Sequence, residues 1–356
     1  MAYTAIDNPE LYFQCKIFTG TGSSLALTLD GDTDMQPDLV WVKARTSGVY
    51  TNNHGLFDAV RGVGKAVESN RNVAEQNAPE GVTAFGSDGF TLGTDGTWNE
   101  SSMTAVAWNW KAGTTSGITT GGASITPTSY SFDQTAGFSI IKYVGNGVTG
   151  ATLPHGLGVA PSFIIIKNIS EDSRAWDIYS HRANSGVDPA DYYYQFDTNG
   201  KLDDAGVWDD TLPTANLITF GSANRVNEDT KTMIAYCFTE VSGYSKFGYY
   251  TGNGDADGTF VYTGFRPAMV IGKASSRTDV WWMNDNKRDI DNPVDLRLMP
   301  NSDSAGSAEW DLDYLSNGFK IRDTDAQANG DGETYIYMAF AEAPFVNSNG
   351  VPCNAR

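Results

Sequence analysis

The side chains that most often carry catalysis are scarce in this sequence. The chain has 356 residues and only three histidines, His54, His155 and His181. His155 stands in the turn-like stretch LPHGLG, and the chain contains no GxSxG nucleophile elbow, no HExxH zinc motif and no EF-hand loop. The carboxylate pairs of glycosidases need no local motif, so a polysaccharide-degrading enzyme stays as a remote alternative. We expect a protein without catalytic residues.

One acidic stretch has the residue types of a metal site. DGDTD at 30–34 would place Asp30, Asp32 and Asp34 on one face of an extended chain. Carboxylate oxygens are the ligands that Ca²⁺ prefers, although a solvated acidic loop has the same composition. The same two interpretations apply to GNGDADG at 252–258. We expect no cofactor, with calcium as the one candidate.

Aromatic side chains are the other source of chemistry, with 9 Trp and 17 Tyr in a chain that is only 19% charged. DYYYQF at 191–196 and VWWMND at 280–285 place neighbouring aromatics on opposite faces of a strand. Exposed Trp and Tyr beside Asp and Asn can stack on and hydrogen-bond a sugar, and they also build subunit interfaces. The candidate binding residues are Tyr192, Tyr193, Tyr194, Trp281 and Trp282, and burial in a core is the alternative.

The charge balance excludes several partners. There are 43 acidic and 24 basic residues, giving a net charge of −19. Binding to nucleic-acid phosphate or to an anionic membrane normally needs clustered Lys and Arg, so we expect neither partner. The N-terminus lacks the basic and apolar regions of a signal peptide, and no apolar run reaches 18 residues. We expect synthesis in the cytoplasm. The three cysteines show no CxxC spacing, which argues against a disulfide framework or a zinc site.

The elements that must position these residues recur three times. PDLVWVK at 37–43 returns as PSFIIIK at 161–167 and PAMVIGK at 267–273, and FTGTG at 18–22 returns as YVGNG at 143–147 and YTGNG at 250–254. Each unit closes on an asparagine (Asn99, Asn227, Asn329) followed by a mixed apolar run. Such a long period indicates one structural unit used three times. In the first word, proline suits the start of a core strand, and the lysine is expected to mark its exit to solvent.

Short apolar runs bounded by Gly, Asn, Asp and Pro predict the fold. They are rich in Val, Ile, Phe, Tyr and Trp, and many such strands in about 105 residues are typical of antiparallel β-sandwiches. We predict an all-β protein of three tandem, lectin- or jelly-roll-like sandwich repeats. The predicted boundaries are 1–111, 136–243 and 244–346 for the repeats, 112–135 for a Gly/Ser/Thr-rich linker and 347–356 for a tail. The linker composition indicates a mobile tether, with the first repeat as a separate lobe.

Taken together, the repeated words resemble a family of repeat proteins of marine bacteriophages, particularly those that infect cyanobacteria. The similarity includes GFSIIKYVGNG at 137–147, LPHGLGVAPSFIIIKN at 153–168 and FVYTGFRPAMVIGK at 260–273, and it covers nearly the entire chain. It implies a virion protein of tail-fibre-like type with lectin-like folds. It brings no established site residue.

The resemblance, the aromatics and the lack of a catalytic set favour a tail fibre or adhesin on the particle exterior, assembled in the host cytoplasm. Its expected partners are other virion proteins and a glycan of the host surface. A homo-oligomer, with a trimer favoured, would multiply weak glycan contacts. A capsid-decorating or tail-scaffold protein with no ligand is the alternative.

Overall fold

A computed structural model describes residues 4–46, 48–197 and 201–353. Strands make up 41% of the chain and helices 7%, and the strands pair in antiparallel sheets. The prediction of an all-β protein is therefore confirmed. None of the described helices has the length and apolar character needed to cross a membrane.

The elements follow the repeats, here named unit 1 (1–111), unit 2 (136–243) and unit 3 (244–346). Unit 1 contains β1 (Phe13–Thr19), β2 (Leu25–Leu27), β3 (Leu39–Ala44), β4 (Gly55–Asp58), β5 (Lys65–Ala66), β6 (Gln76–Asn77), β7 (Val82–Gly86), β8 (Gly89–Leu92), β9 (Thr104–Trp110), helix α1 (Gly96–Asn99) and a 3₁₀ turn at Pro9–Leu11. Strand β10 (Ser129–Asp133) precedes unit 2, which contains β11 (Phe138–Val144), β12 (Ala151–Pro154), β13 (Phe163–Asn168), β14 (Trp176–Ser180), β15 (Tyr192–Tyr194), β16 (Lys201–Asp203), β17 (Leu217–Phe220), β18 (Thr232–Phe238), helices α2 (Ala205–Trp208) and α3 (Asn224–Asn227), and 3₁₀ turns at Ala183–Gly186 and Pro189–Asp191. Unit 3 contains β19 (Ser245–Thr251), β20 (Phe260–Tyr262), β21 (Phe265–Ala274), β22 (Trp281–Asp285), β23 (Val294–Arg297), β24 (Ser307–Leu315), β25 (Gly318–Ile321), β26 (Thr334–Pro344) and helix α4 (Ala326–Asn329).

Each unit has one larger sheet with the same strand order. It is β1-β9-β3-β4 in unit 1, β11-β18-β13-β14 in unit 2 and β19-β26-β21-β22 in unit 3; in unit 2, β10, β15 and β16 extend the sheet. Smaller sheets accompany them, with the orders β2-β8-β7, β12-β17 and β20-β25-β24-β23. A cluster of buried apolar residues belongs to each unit alone and includes strands of both of its sheets.

The other faces of the three larger sheets share a single apolar core. This cluster contains Trp41 and Trp108 of unit 1, Ile165 of unit 2, and Ile271 and other residues of unit 3. Each larger sheet is thus buried on both faces. That explains why strands such as β26 are continuous apolar runs rather than alternating ones.

Equivalent aromatic residues meet at one end of this core. Trp110, Phe238 and Phe340 are each the seventh residue of their strand, and all three pairs of rings are in contact. The centroid distances are 6.4 Å, 5.5 Å and 5.8 Å for Trp110–Phe238, Trp110–Phe340 and Phe238–Phe340. The three sheets therefore run in the same direction around a pseudo-threefold arrangement. We call this the aromatic end.

A ring of hydrogen bonds between units closes the opposite part of the core. Trp176 Nε1 donates to the Glu68 carbonyl oxygen at 2.9 Å, and Trp281 Nε1 donates to the Gln195 carbonyl oxygen at 2.8 Å. His54 Nε2 lies 2.9 Å from the Met299 carbonyl oxygen. Residues 54, 176 and 281 occupy equivalent positions in the three units. Their three acceptors are also equivalent, because each comes directly after, in the sequence, the residue that pairs with the adjacent strand of its own unit. Each unit therefore binds the one before it, and unit 1 binds unit 3.

The segment predicted as a mobile tether is partly ordered by contacts. Its end forms β10, which pairs with β11, and Thr114 bridges to Phe132. Ile125 is buried in the apolar cluster of unit 2. The shared core also differs from the expectation of a separate first lobe, because unit 1 contributes Trp41, Trp108 and Trp110 to it. Composition alone could not show that a Gly/Ser/Thr-rich segment lies against a sheet.

The shared core predicts that the units stay together when the chain is cut. A specific protease site inserted between Gly121 and Gly122, where glycine has a positive φ at both positions, should be cleaved without unfolding the protein. The two pieces should coelute in size-exclusion chromatography and unfold in one thermal transition that coincides with that of the uncut protein. Release of a separately folded C-terminal fragment would contradict the shared core.

Candidate functional site

The three lysines that end the repeated proline words are buried, so the expectation of an exit to solvent was wrong. Lys43, Lys167 and Lys273 are each 0% exposed. Each ammonium group donates to backbone carbonyl oxygens, for example Lys273 Nζ to Ala274 at 2.7 Å. The expectation failed because loops cover this end of the sheets, which we call the lysine end.

The repeated asparagines shape the Gly-rich loops at the lysine end. The side-chain oxygens of Asn99, Asn227 and Asn329 accept from the backbone N–H of the residue after the first loop glycine, at 2.9, 3.0 and 3.1 Å. That glycine is required because a Cβ on Gly20 would lie 2.2 Å from the Glu100 carbonyl oxygen, and the other two units repeat the clash. The FTGTG, YVGNG and YTGNG words are therefore turns held by a buried amide.

Most of the predicted aromatic binding residues lie in cores. Tyr193, Tyr194, Trp281 and Trp282 are at most 6% exposed, and Tyr192 is partly buried. Trp281 packs on Phe196 in the shared core, with ring centroids 5.0 Å apart. Their ring faces are thus occupied by protein, and none of these four can stack on a ligand in this structure.

The predicted calcium ligands are spread along an exposed loop. Asp30, Asp32 and Asp34 all lie on the surface, and Asp30 forms an ion pair with Lys16. Within the part of the chain that the structure describes, no group of three or more His, Cys, Asp or Glu side chains could hold a metal ion.

The histidines are held in structural roles. His155 is buried, and burial lowers its pKa to about 4. His181 is partly buried and bonds the Phe247 carbonyl oxygen at 2.9 Å. His54 accepts a hydrogen bond from Trp41 Nε1 at Nδ1, so its proton resides on Nε2 and points to Met299. Burial lowers the pKa of His54 well below its usual range, and the ring stays neutral.

A polar pocket lies at the lysine end between units 1 and 3. It has a volume of about 520 Å³ and is lined by Thr51, Asn53, Asn70, Arg71, Asn301, Ser302 and Asp303. This volume falls within the range of small-molecule sites. Tyr50, which is 54% exposed, directly precedes the lining residue Thr51 in the chain. We call this pocket between units 1 and 3 the lysine-end pocket.

The unit 1 wall of the lysine-end pocket is a connected hydrogen-bond network. Glu68 is 4% exposed and accepts from Asn53 Nδ2 at 3.0 Å and from Arg71 NH1 at 2.7 Å. Asn70 Nδ2 donates to Asn53 Oδ1 at 2.8 Å, and Asn70 Oδ1 accepts from the His54 backbone N–H at 3.0 Å. Each polar group is therefore fixed in orientation before any ligand arrives.

The unit 3 wall of the lysine-end pocket is held in place by hydrogen bonds from buried donors. Lys43 Nζ donates to the carbonyl oxygens of Asp303 at 3.2 Å and Ser304 at 2.9 Å. Asn301 Oδ1 accepts from the Trp281 backbone N–H at 3.1 Å. Among the three equivalent lysines, the bonds described place only Lys43 across a unit boundary.

The pocket chemistry suits a neutral, hydroxyl-rich ligand. Amide, guanidinium, hydroxyl and carboxylate groups offer donors and acceptors in several directions. The charge of Arg71 is balanced by Glu68, and the nearby Asp303 favours the charged form of Lys43 against the effect of burial. Behind the lining residues, Glu68 is held by two donors and His54 has both ring nitrogens bonded.

Comparison with known proteins gives one match. The profile of the family described as Domain of unknown function (DUF7483) matches residues 8–344, which is nearly the whole chain. The chain belongs to the DUF7483 family. No curated protein and no solved structure is significantly similar to it. The family match thus covers all three units. It identifies no site, so the site is assigned from the geometry.

Sequence reasoning missed the residues of the lysine-end pocket. Asn70, Asp197 and Asn301 are equivalent, and each accepts from the backbone N–H of the residue that forms the inter-unit bond. The signal available in the sequence was an Asn or Asp three positions after each residue that bridges to the adjacent strand. It was not recognised because the surrounding letters differ among the three units.

Burial of Lys43 predicts a specific dependence of stability on pH. Its pKa falls from 10.5 to about 7 because burial disfavours the charged form. Above pH 7 the unfolded chain binds one more proton than the folded chain at this site, so the free energy of unfolding rises with pH up to about 10. Lys43→Met should reduce the gain in that free energy between pH 7 and 8 by about 1 kcal/mol, measured by urea unfolding.

Other titrating groups are common to wild type and variant and cancel in this comparison. Lys65→Met, which replaces a lysine whose side chain is 41% exposed, is the matched control and should leave the gain unchanged. An equal gain in wild type and Lys43→Met would show that Lys43 is not held as the structure places it.

Proposed function

We propose that this DUF7483 protein is an exterior virion component of a bacteriophage that binds a neutral glycan of the host surface through the lysine-end pocket. The observation that carries the binding role is the preorganised wall of Glu68, Asn53 and Arg71 on one side of a polar pocket, with the charge of Arg71 balanced by Glu68. The virion assignment rests on the resemblance of the repeated words to marine phage proteins. A virion location in the assembled particle follows from that assignment.

The fold is consistent with lectin-like repeats. In each unit a larger and a smaller antiparallel sheet contribute to one apolar cluster, as the sheets of a β-sandwich do. We propose three such sandwich units with the boundaries predicted above. Association of several chains, with a trimer favoured, would add multivalency to individually weak sites.

Position within the fold also favours binding at the lysine end. The strands that lead from unit 1 to unit 2 and from unit 2 to unit 3 leave the sheets at the aromatic end, after Trp110 and Phe238. The first and last described segments touch there as well, since the Ser348 backbone N–H donates to Asp7. Loops at the lysine end connect strands within a unit, so they can vary without disturbing the joints between units.

Binding is expected to be lost when the wall of the lysine-end pocket is broken. Arg71→Ala removes a charged hydrogen bond from Glu68, and we expect affinity for neutral glycans to fall about tenfold or more on a glycan array that includes host-surface polysaccharides. Arg277→Ala is the matched control, because Arg277 also has an acidic partner and similar exposure, 41% against 44%. Absence of binding by multivalent wild-type protein, or equal binding by both variants, would refute the proposed site.

The place in the particle is tested by copy number. A tail fibre is present in few copies, whereas a capsid-decorating protein approaches the number of major capsid subunits. We expect quantitative mass spectrometry of purified virions to give the small number. A ratio near that of the capsid subunits would favour the decorating alternative, and absence from virions would contradict both.

A further inference from the structure

Exposed aromatic side chains are concentrated on the edge strands of unit 3. Among the side chains that the structure describes, the aromatic ones exposed by more than a third are Tyr50, Tyr249, Phe260 and Tyr262. The last three belong to β19 and β20, and Tyr262 is the most exposed at 60%. A single exposed apolar residue needs no explanation, but three exposed aromatic rings on the two edge strands of one unit form a concentration that can mark a binding surface.

Comparison among the units shows that the fold does not need an aromatic residue at position 262. Val261 pairs with Phe319, and the equivalent pairs are Leu27 with Phe90 and Leu153 with Ile218. The residue that follows is Tyr262 in unit 3, Thr28 in unit 1 and Pro154 in unit 2. The same strand thus forms with a small, a cyclic or an aromatic side chain at this position.

Tyr262 lines a cleft that contains hydrogen-bonding groups. The cleft has a volume of about 370 Å³ at the aromatic end, and its other lining residues are Glu240, Ser242, Gly243, Ser245, Lys246, Thr263 and Gly264. Glu240 accepts from Lys246 Nζ at 3.1 Å and from the Phe247 backbone N–H at 3.2 Å. The carboxylate is held in place and its charge is balanced by the lysine.

An exposed ring beside fixed polar groups matches the chemistry of a pyranose. The C–H face of a sugar ring packs on an aromatic face, while its hydroxyl groups bond carboxylate, ammonium and backbone groups at the side. Gly264, whose φ of +87° favours glycine, lies beside the Tyr262 hydroxyl group. The balanced pair of Glu240 and Lys246 favours a neutral sugar over an anionic one.

We propose that the cleft between Tyr262 and the Glu240–Lys246 pair is a second binding site for neutral pyranose sugars. It lies between units 2 and 3 at the aromatic end, whereas the lysine-end pocket lies between units 1 and 3 at the other end. The two sites share no lining residue, so one chain can engage two sugar groups at once. The proposal extends the glycan-binding role but depends on separate residues.

Saturation-transfer difference NMR tests the cleft with methyl pyranosides of glucose, galactose and mannose. In the Arg71→Ala protein, in which the lysine-end pocket is impaired, we expect a signal from at least one of these sugars. Tyr262→Thr, which installs the residue of unit 1, should reduce that signal at least threefold. Tyr249→Lys, which replaces another exposed tyrosine by the residue of unit 2, should leave it unchanged.

The outcomes separate this proposal from the preceding one. Equal signals in Arg71→Ala and Arg71→Ala/Tyr262→Thr proteins, including no signal from either, overturn the second site. A loss in Tyr262→Thr with no effect of Arg71→Ala retains the cleft and overturns the lysine-end pocket. Because Tyr262 is largely exposed, an unchanged thermal unfolding midpoint is expected for Tyr262→Thr, and circular dichroism checks it.

Discussion

The hydrogen bond that joins each unit to the preceding one, from a ring N–H at the start of the fourth strand of the unit, is the contact on which the molecule depends. The residue involved (His54, Trp176 or Trp281) uses its backbone N–H within its own unit and its ring N–H on the neighbour. Since the donor always belongs to the next unit, the contact is heterologous, and three copies close it into a ring. A unit alone would expose an apolar sheet face to water, whereas loss of one ring donor within the packed core would leave a buried acceptor unpaired, which costs about 1–3 kcal/mol.

Buried polar contacts reinforce two of the three joints. Asp58 accepts from the arginine three residues later and from Tyr236 of unit 2, and Asp285 accepts from the arginine three residues later and from Trp108 of unit 1. At the third joint the equivalents are Ser180 and Met338, so acid, arginine and donor are absent together. Removing one partner of a buried ion pair leaves an uncompensated charge, and this explains why the whole set is replaced at the third joint rather than one member.

The all-β class, the antiparallel strands and the Gly–Asn turns could be predicted because each depends on local letters. The burial of Lys43 and Trp281 could not, since it follows from contacts with other units, 260 residues away for Lys43 and 86 for Trp281. A lysine at the end of a strand is normally solvated, and here a loop of unit 3 closes over it and supplies carbonyl acceptors. The exposure of the aromatic pairs could not be predicted for the same reason. A strand that is covered on both faces has no exposed side for its aromatic residues.

Internal repetition offers a way to separate packing from recognition without any relative. Where the three units keep the same residue type, as at Asn99, Asn227 and Asn329, the contact is the same in each and its role is structural. Where one unit has a more exposed or less stabilising side chain than the other two, those two units show that the fold forms without it. Tyr262, and Arg71 in the unit 1 wall of the lysine-end pocket, are differences of this kind. Because the aromatic and lysine ends are set by the shared core, such departures can accumulate on the loops and edge strands while the ring of joints remains unchanged.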